Sequence, residues 1–204
     1  MKKSLLILLI VLLISACAMP ETKIYSIQLS PPSPVSHGKE GTIGNARASA
    51  EPDRSIAVLV DSPRHLAQSY IVHRSSPYYL EISKYSKWVS TPPEMLREAM
   101  KEYLSSTGLF REVRSSAIVR DEFYIVEIQL RKFEQSEEGK DFFGDILFDV
   151  KLISPERGEI YRGTASRHVR LDDRTFLSLT KGLSAALSES VREITDRIVA
   201  QLQK

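Results

Sequence analysis

Residues 70–113 read YIVHRSSPYYLEISKYSKWVSTPPEMLREAMKEYLSSTGLFREV, and the change of hydrophobic period inside this stretch decides the fold class. Ser69–Arg74 and Tyr78–Ser83 carry strand-type residues on either side of Ser75-Ser76-Pro77, which predicts two strands and a turn. Thr91-Pro92-Pro93-Glu94 then starts a helix. Threonine can cap, proline suits the first turn, and a glutamate three residues on completes a capping box. The helix should bury Met95, Leu96, Ala99, Met100, Tyr103 and Leu104 on one face. It should stop at Gly108, which tolerates the left-handed end conformation, and Leu109–Val113 should return to a sheet.

The rest of the chain extends this pattern. Lys23–Leu29 alternates as a first strand. Ser55–Val60 (SIAVLV) is a continuous apolar run, suited to a strand buried on both faces. In Phe123–Phe133, Tyr124, Val126, Ile128 and Leu130 alternate with Glu127, Gln129 and Arg131. Phe142–Ile153 repeats the pattern, joined to the preceding strand through Glu137-Glu138-Gly139-Lys140 as an antiparallel pair. Ser154–Gly158 turns into a more polar strand, Glu159–Arg170, expected at a sheet edge. Finally, Phe176, Leu179, Leu183, Leu187, Val191, Ile194, Ile198 and Leu202 recur at steps of three and four, one apolar stripe down a long helix. The fold expected is a single α+β domain, a mixed and largely antiparallel sheet packed by two amphipathic helices.

Two segments stand outside that domain. Ser30–Arg54 is rich in Pro, Gly, Ser and Ala with almost no large apolar residue. It cannot bury enough surface to offset its ordering entropy and reads as a flexible loop. The start of the chain is different again: Lys2 and Lys3, an apolar run from Leu5 to Ile14, then Ser15-Ala16-Cys17. A basic start, a short apolar core and small residues at its exit make a secretory signal. As a helix the run is roughly 15 Å long, about half a hydrocarbon core.

Cys17 is the single cysteine of 204 residues, and Ile14-Ser15-Ala16-Cys17 resembles a bacterial lipobox. That resemblance implies removal of residues 1–16, acylation of Cys17 as the new N-terminus, a tether over 17–22 and a body over 23–204. Two or three acyl chains make such an anchor effectively permanent, where a single chain is marginal. The residue after the cysteine is Ala18 rather than aspartate, which by the lipoprotein sorting rule implies the periplasmic face of the outer membrane.

Composition excludes several functions. Without residues 1–16, 188 residues remain, enough for one domain with a substantial core. The full chain has 28 Lys+Arg against 26 Asp+Glu; losing Lys2 and Lys3 leaves a net charge near zero, and nothing forms a nucleic-acid footprint. His37, His65, His73 and His168 are scattered without ligand spacing, so no metal is expected. Asp141, Asp145 and Asp149 share a strand face, but four residues along a strand is ~13 Å, too far to share an ion; they read as a solvent face. Gly38, Gly41 and Gly44 lack the strand, helix and lysine of a phosphate loop. No Gly-x-Ser-x-Gly elbow occurs. No enzyme and no cofactor are expected. Tyr78, Tyr79, Tyr85 and Trp88 form an aromatic cluster with two readings: core packing, or an interface or lipid-headgroup contact in which Tyr85 and Trp88 take part.

The stretch 70–113 resembles the signature region of the ABC-type transport auxiliary lipoproteins, the PqiC/YmbA-like family. Arg74, Trp88, Pro92, Leu96, Leu104, Gly108, Phe110 and Val113 occupy its places. Tyr25-Ser26-Ile27, the two later strands, the polar strand, the striped helix and the lipobox agree with the family order. The resemblance implies a non-enzymatic lipoprotein working with an ABC permease and ATPase whose periplasmic component has an MCE domain, and moving phospholipid or other hydrophobic molecules across the envelope. A ring-shaped partner of that kind would favour a homo-oligomer. The competing reading is an envelope scaffold or regulatory lipoprotein acting on cell-wall or outer-membrane assembly, which a longer tether would favour.

Overall fold

The computed structural model describes residues 20–31, 54–115 and 121–204. The signal segment, Cys17 and most of the loop expected over 30–54 lie outside the described residues. Within them the order is β1 (Lys23–Tyr25), β2 (Arg54–Asp61), β3 (Tyr70–Ser76), β4 (Tyr79–Trp88), α1 (Pro92–Ser106), β5 (Phe110–Arg114), β6 (Tyr124–Glu138), β7 (Asp141–Ser154), β8 (Gly158–Arg170) and α2 (Phe176–Leu202).

The strands form one sheet. β6, β7 and β8 make a long antiparallel meander, turning at Gly139 (φ 67°) and Gly158 (φ 70°), both in the left-handed region that glycine adopts without strain. The other edge of β6 is divided. β2 runs parallel to it along Tyr124–Gln129, and β3 runs parallel to it at Gln135 and Ser136. β5 extends the sheet beyond β2, while β4 and then β1 extend it beyond β3.

The fold is α+β, but the expectation of a largely antiparallel sheet needs correction. Four of the seven strand pairings are parallel; the three antiparallel ones join strands linked by short turns. Parallel neighbours need a crossover. Here the β3–β4 hairpin and α1 carry the chain from β2 to β5. Alternation in a sequence reports a strand's faces, not its neighbours.

Both helices pack on one face, α2 against β7 and β8, α1 against β2 and β5, and each against the other. Helix α1 buries the six residues its period predicts. In α2, Leu179, Leu183, Leu187, Val191, Ile194 and Ile198 are fully buried. The approach is close at Gly144 of β7, where a Cβ would stand 3.2 Å from Leu183 Cδ2. Glycine there lets the helix lie down on the strand.

The first strand is shorter than the expected Lys23–Leu29. After Tyr25 the chain leaves the sheet and crosses α2. Gln28 N–H donates to Ser184 Oγ at 3.1 Å and Ser30 N–H donates to Ser188 Oγ at 3.0 Å. These hydroxyls donate in turn to carbonyls one helical turn back, at 2.7 and 2.9 Å. Tyr103 Oη on α1 donates to the Ser30 carbonyl at 2.7 Å. The segment is a strap over both helices, its amides satisfied by serines inside an otherwise apolar face.

Two outcomes follow. In a Ser184→Ala/Ser188→Ala double variant the Gln28 and Ser30 amides lose their acceptors, at about 1 kcal/mol each. Their hydrogen-exchange protection should fall while that of Leu183 and Leu187 persists. Secondly, Thr91 N–H donates to Glu94 Oε2 at 2.9 Å, and hydrogen bonding to Thr91 holds the Glu94 carboxyl below its ordinary value of 4.5. A depressed carboxylate contributes stability that is complete above the unfolded value and lost as pH falls through the folded one. Glu94→Ala should therefore destabilise by roughly 1 kcal/mol or less at neutral pH, and its melting temperature should converge on that of the parent chain in acid below pH 4.5.

Candidate interaction site

In the signature stretch, the residue with the most consequential contacts is Arg74. Its Nε and one terminal nitrogen donate to the two carboxylate oxygens of Glu134 at 2.6 and 3.1 Å. Glu134 is 0% exposed, and Arg74 lies over it partly open to solvent. This planar two-bond geometry suits a guanidinium and not an ammonium. The hydrogen bond to Glu134 holds the Arg74 guanidinium above its ordinary pKa, with burial opposing and the charges of Glu134 and Asp145 adding to it.

The pair belongs to a row across the sheet. Glu134 stands opposite Asp145 of β7, and Asp145 stands opposite His168 of β8. His168 Nδ1 is 2.6 Å from Asp145 Oδ1, and the imidazole stacks on Phe143 with centroids 4.0 Å apart. The expectation that Asp145 lies on a solvent face is corrected: it is 7% exposed, because His168 and the neighbouring strands cover it. Asp141 and Asp149 do remain partly open, paired with Arg170 and Arg131. A guanidinium clamped by a buried carboxylate does not exchange protons at neutral pH, so the row acts as a lock between β3 and β6.

The aromatic cluster divides. Trp88 is 2% exposed and packs edge to face on Phe133, centroids 5.5 Å apart. Its indole belongs to the core, so this structure does not offer it to a partner or a lipid. Tyr85 stays half-exposed, and Tyr78 and Tyr79 stand at the exposed tip of the β3–β4 hairpin. Cys17 lies outside the described residues. Among the described residues no group of three His, Cys, Asp or Glu is placed to hold a metal ion, and no helix is long and apolar enough to cross a membrane.

Two grooves flank α1. One, of about 430 Å³, has Ile27, Leu29, Val89 and Met95 in its walls and Glu98 and Glu102 at its lip. The other, of about 470 Å³, lies by Leu59, Arg97, Glu127 and Lys151. Neither was legible from the sequence, because both arise where α1 crosses strands distant along the chain. The Arg74–Glu134 fork was equally hidden: Glu134 falls in a run, Arg131-Lys132-Phe133-Glu134, that looks like a solvated face. The signal that could have found it was the arginine of the signature stretch, which demands an anion.

Removing one partner of a buried pair leaves an uncompensated charge, at about 3–5 kcal/mol. Arg74→Ala should show that loss in urea denaturation. Arg74→Met/Glu134→Leu, which removes both charges, should recover most of it.

The family model for the ABC-type transport auxiliary lipoprotein component matches residues 41–198. Among solved structures, a Xanthomonas campestris protein is similar with a TM-score of 0.71 at 17% sequence identity, covering 89% of this chain and 97% of its own. An uncharacterized protein is similar with a TM-score of 0.65 at 15% identity, covering 88% of this chain and 99% of its own. At these identities the likeness is one of fold. No protein of curated function matches the chain in sequence. A family match over most of the chain, including the whole of the signature stretch that carries Arg74 and Trp88, makes this chain a member of the ABC-type transport auxiliary lipoprotein family.

Proposed function

We propose that this chain is a lipid-anchored, non-catalytic component of an ABC transporter that moves phospholipid or another hydrophobic molecule across the envelope. The family match over residues 41–198 carries this reading. In it, residues 1–16 are removed, acylated Cys17 sits in the periplasmic leaflet of the outer membrane, and residues 17–22 tether the body, 23–204. At ~3.5 Å per extended residue the tether holds the body within roughly 20 Å of the bilayer. The body meets an MCE-domain protein served by a permease and an ATPase, as one copy in a homo-oligomer matched to a ring-shaped partner. The strap across α2 supports the anchoring part, since the first residues after the tether are tied directly to the core.

Affinity purification of the tagged protein from native membranes in mild detergent tests this reading, with mass spectrometry of co-purifying proteins and lipids. An MCE-domain protein should be recovered with its permease and ATPase, and the N-terminal peptide should carry the acyl mass. Cys17→Ala should abolish the acyl mass and move the protein out of the outer-membrane fraction. Recovery of cell-wall enzymes, or of no transporter component even after crosslinking, would favour an envelope scaffold instead.

A further inference from the structure

Among the described residues, the large apolar side chains left at the surface, apart from Tyr78 and Tyr79 at the tip of the β3–β4 hairpin, gather at one corner. Ile24 of β1 is 69% exposed and Val89, just past β4, is 62% exposed; Ile82, Tyr85 and Leu177 are also open. Their neighbours show that they lie together. Val89 N–H donates to the Tyr25 carbonyl at 2.8 Å, and Ile24 stands opposite Lys87 in the ladder. The Tyr25 ring meets Phe176 edge-on at 6.1 Å. Phe176 lines one small cleft with Ile82, and Leu177 follows it in the first turn of α2.

Three lysines are set among these residues, with Glu81 in the cleft beside Ile82 and Glu94, Glu98 and Glu102 in the groove that Val89 walls. Lys23 opposes Ser86 next to Tyr85, Lys84 lies in the same stretch of β4, and Lys87 Nζ sits 4.8 Å above the Tyr70 ring. Lys23 and Lys84 form no ion pair among the described residues, unlike most of the charges on β7 and β8. Open aliphatic side chains, tyrosines and free lysines in one patch match a bilayer interface: apolar groups leave water, tyrosines take the headgroup level, and lysines meet anionic lipid. Location selects the occupant. This corner holds β1, the first structured element after Cys17, so no other part of the body is tied closer to the anchor.

We propose that this corner is a membrane-docking surface for an anionic phospholipid bilayer. Ile24, Tyr85 and Val89 enter the headgroup layer and Lys23, Lys84 and Lys87 meet its phosphates. The lipid tether holds the protein at the membrane, and this surface fixes which way the domain faces. The inference rests on the reading of Cys17 as the anchor.

The acylated Cys17 has no free thiol, so an introduced cysteine can be labelled alone. Ile24→Cys and Val89→Cys would each carry an environment-sensitive fluorophore, with Arg162→Cys as reference. Position 162 adjoins Ile160, whose carbonyl accepts from Gln201 in the last turn of α2. That is the far end of a helix ~40 Å long at ~1.5 Å per residue from Leu177. The full lipidated chains would be reconstituted into phosphatidylethanolamine–phosphatidylglycerol vesicles containing shallow nitroxide-labelled phospholipid. Labels at 24 and 89 should shift to the blue and be quenched, while the label at 162 stays unquenched. Lys23→Glu/Lys87→Glu should weaken the quenching at 89. Equal quenching at all three positions would overturn the proposal, as would protection of 24 and 89 by crosslinkable contact with a second copy. All three positions are exposed, and unchanged circular dichroism and melting would show each variant folded. An N-terminal peptide without acyl mass would instead bring down the anchor reading itself.

Discussion

Strand β6 offers one edge to two partners, β2 along Tyr124–Gln129 and β3 at Gln135–Ser136, and a buried carboxylate sits where they diverge. The ladder between β6 and β7 shifts register between Leu130 and Lys132, after β2 ends and before β3 begins. Glu134 lies just past that bulge with no exposure to solvent. A charge so placed is tolerated only with a close counter-charge and good hydrogen bonds, and Arg74 supplies both. The ladder between β3 and β6 spans only two residue pairs, too few to fix the strand alone. The fork, together with the buried Ile71 and Val72 of β3, sets where that strand lies. β4 pairs with β3, and β1 with β4, so the corner at β1 is placed through β3.

What the sequence made legible was local. The capping residues Thr91 and Glu94, the apolar face of α1, the turn glycines 108, 139 and 158, and the stripe of α2 all act within a few residues of themselves, and all stand where expected. The edge position of β8 was legible from its polarity. What stayed hidden depends on residues far apart in the chain. The parallel pairings of β2 could not be read, because SIAVLV states only that both faces are covered. Glu134 and Asp145 look like any outward charges until Arg74 and His168 arrive from other strands. Ser184 and Ser188 look like faults in an apolar stripe until the strap crosses them. For the candidate site the division is the same: Cys17 is legible as a motif, the aromatic cluster could be core or surface, and only the fold assigns Trp88 to the first and Tyr85 to the second.

Under the proposed lipid anchoring, the strap also bears on how the domain would carry load. β1 pairs through only three residues at a sheet edge, and such a ladder frays easily. Its continuation is held by hydrogen bonds to two successive turns of α2 and by Tyr103 of α1, while Tyr25 is pressed against Phe176. A pull on the chain N-terminal to β1 would thus be delivered to the longest helix of the described residues, whose apolar face is the core. The serine hydroxyls that tie the strap down donate in turn to the Thr180 and Ser184 carbonyls one turn back along α2.

The free edges of the sheet narrow how partners can meet this domain. β8 presents thirteen residues with no strand beyond them, a length that would invite pairing with another chain. Its charges are engaged: Arg162 with Glu159, Arg167 with Glu193 on α2, and Arg170 with Asp141 on β7. Each such pair is worth little in stability at the surface. Together they line the edge with solvated side chains that an added strand would have to displace, which is how natural sheets discourage edge-to-edge association. β1, a second edge, is three residues long and offers almost no ladder, and β5, the third edge, is five residues long. Association by strand addition is therefore disfavoured at β8 and at β1. The surfaces described for recognition are the grooves beside α1 and the apolar, lysine-bearing corner at β1, and Val89 joins the corner to the glutamate-lipped groove. Because Val89 belongs to both, a partner seated in the glutamate-lipped groove and a lipid surface at the corner would compete for the same edge.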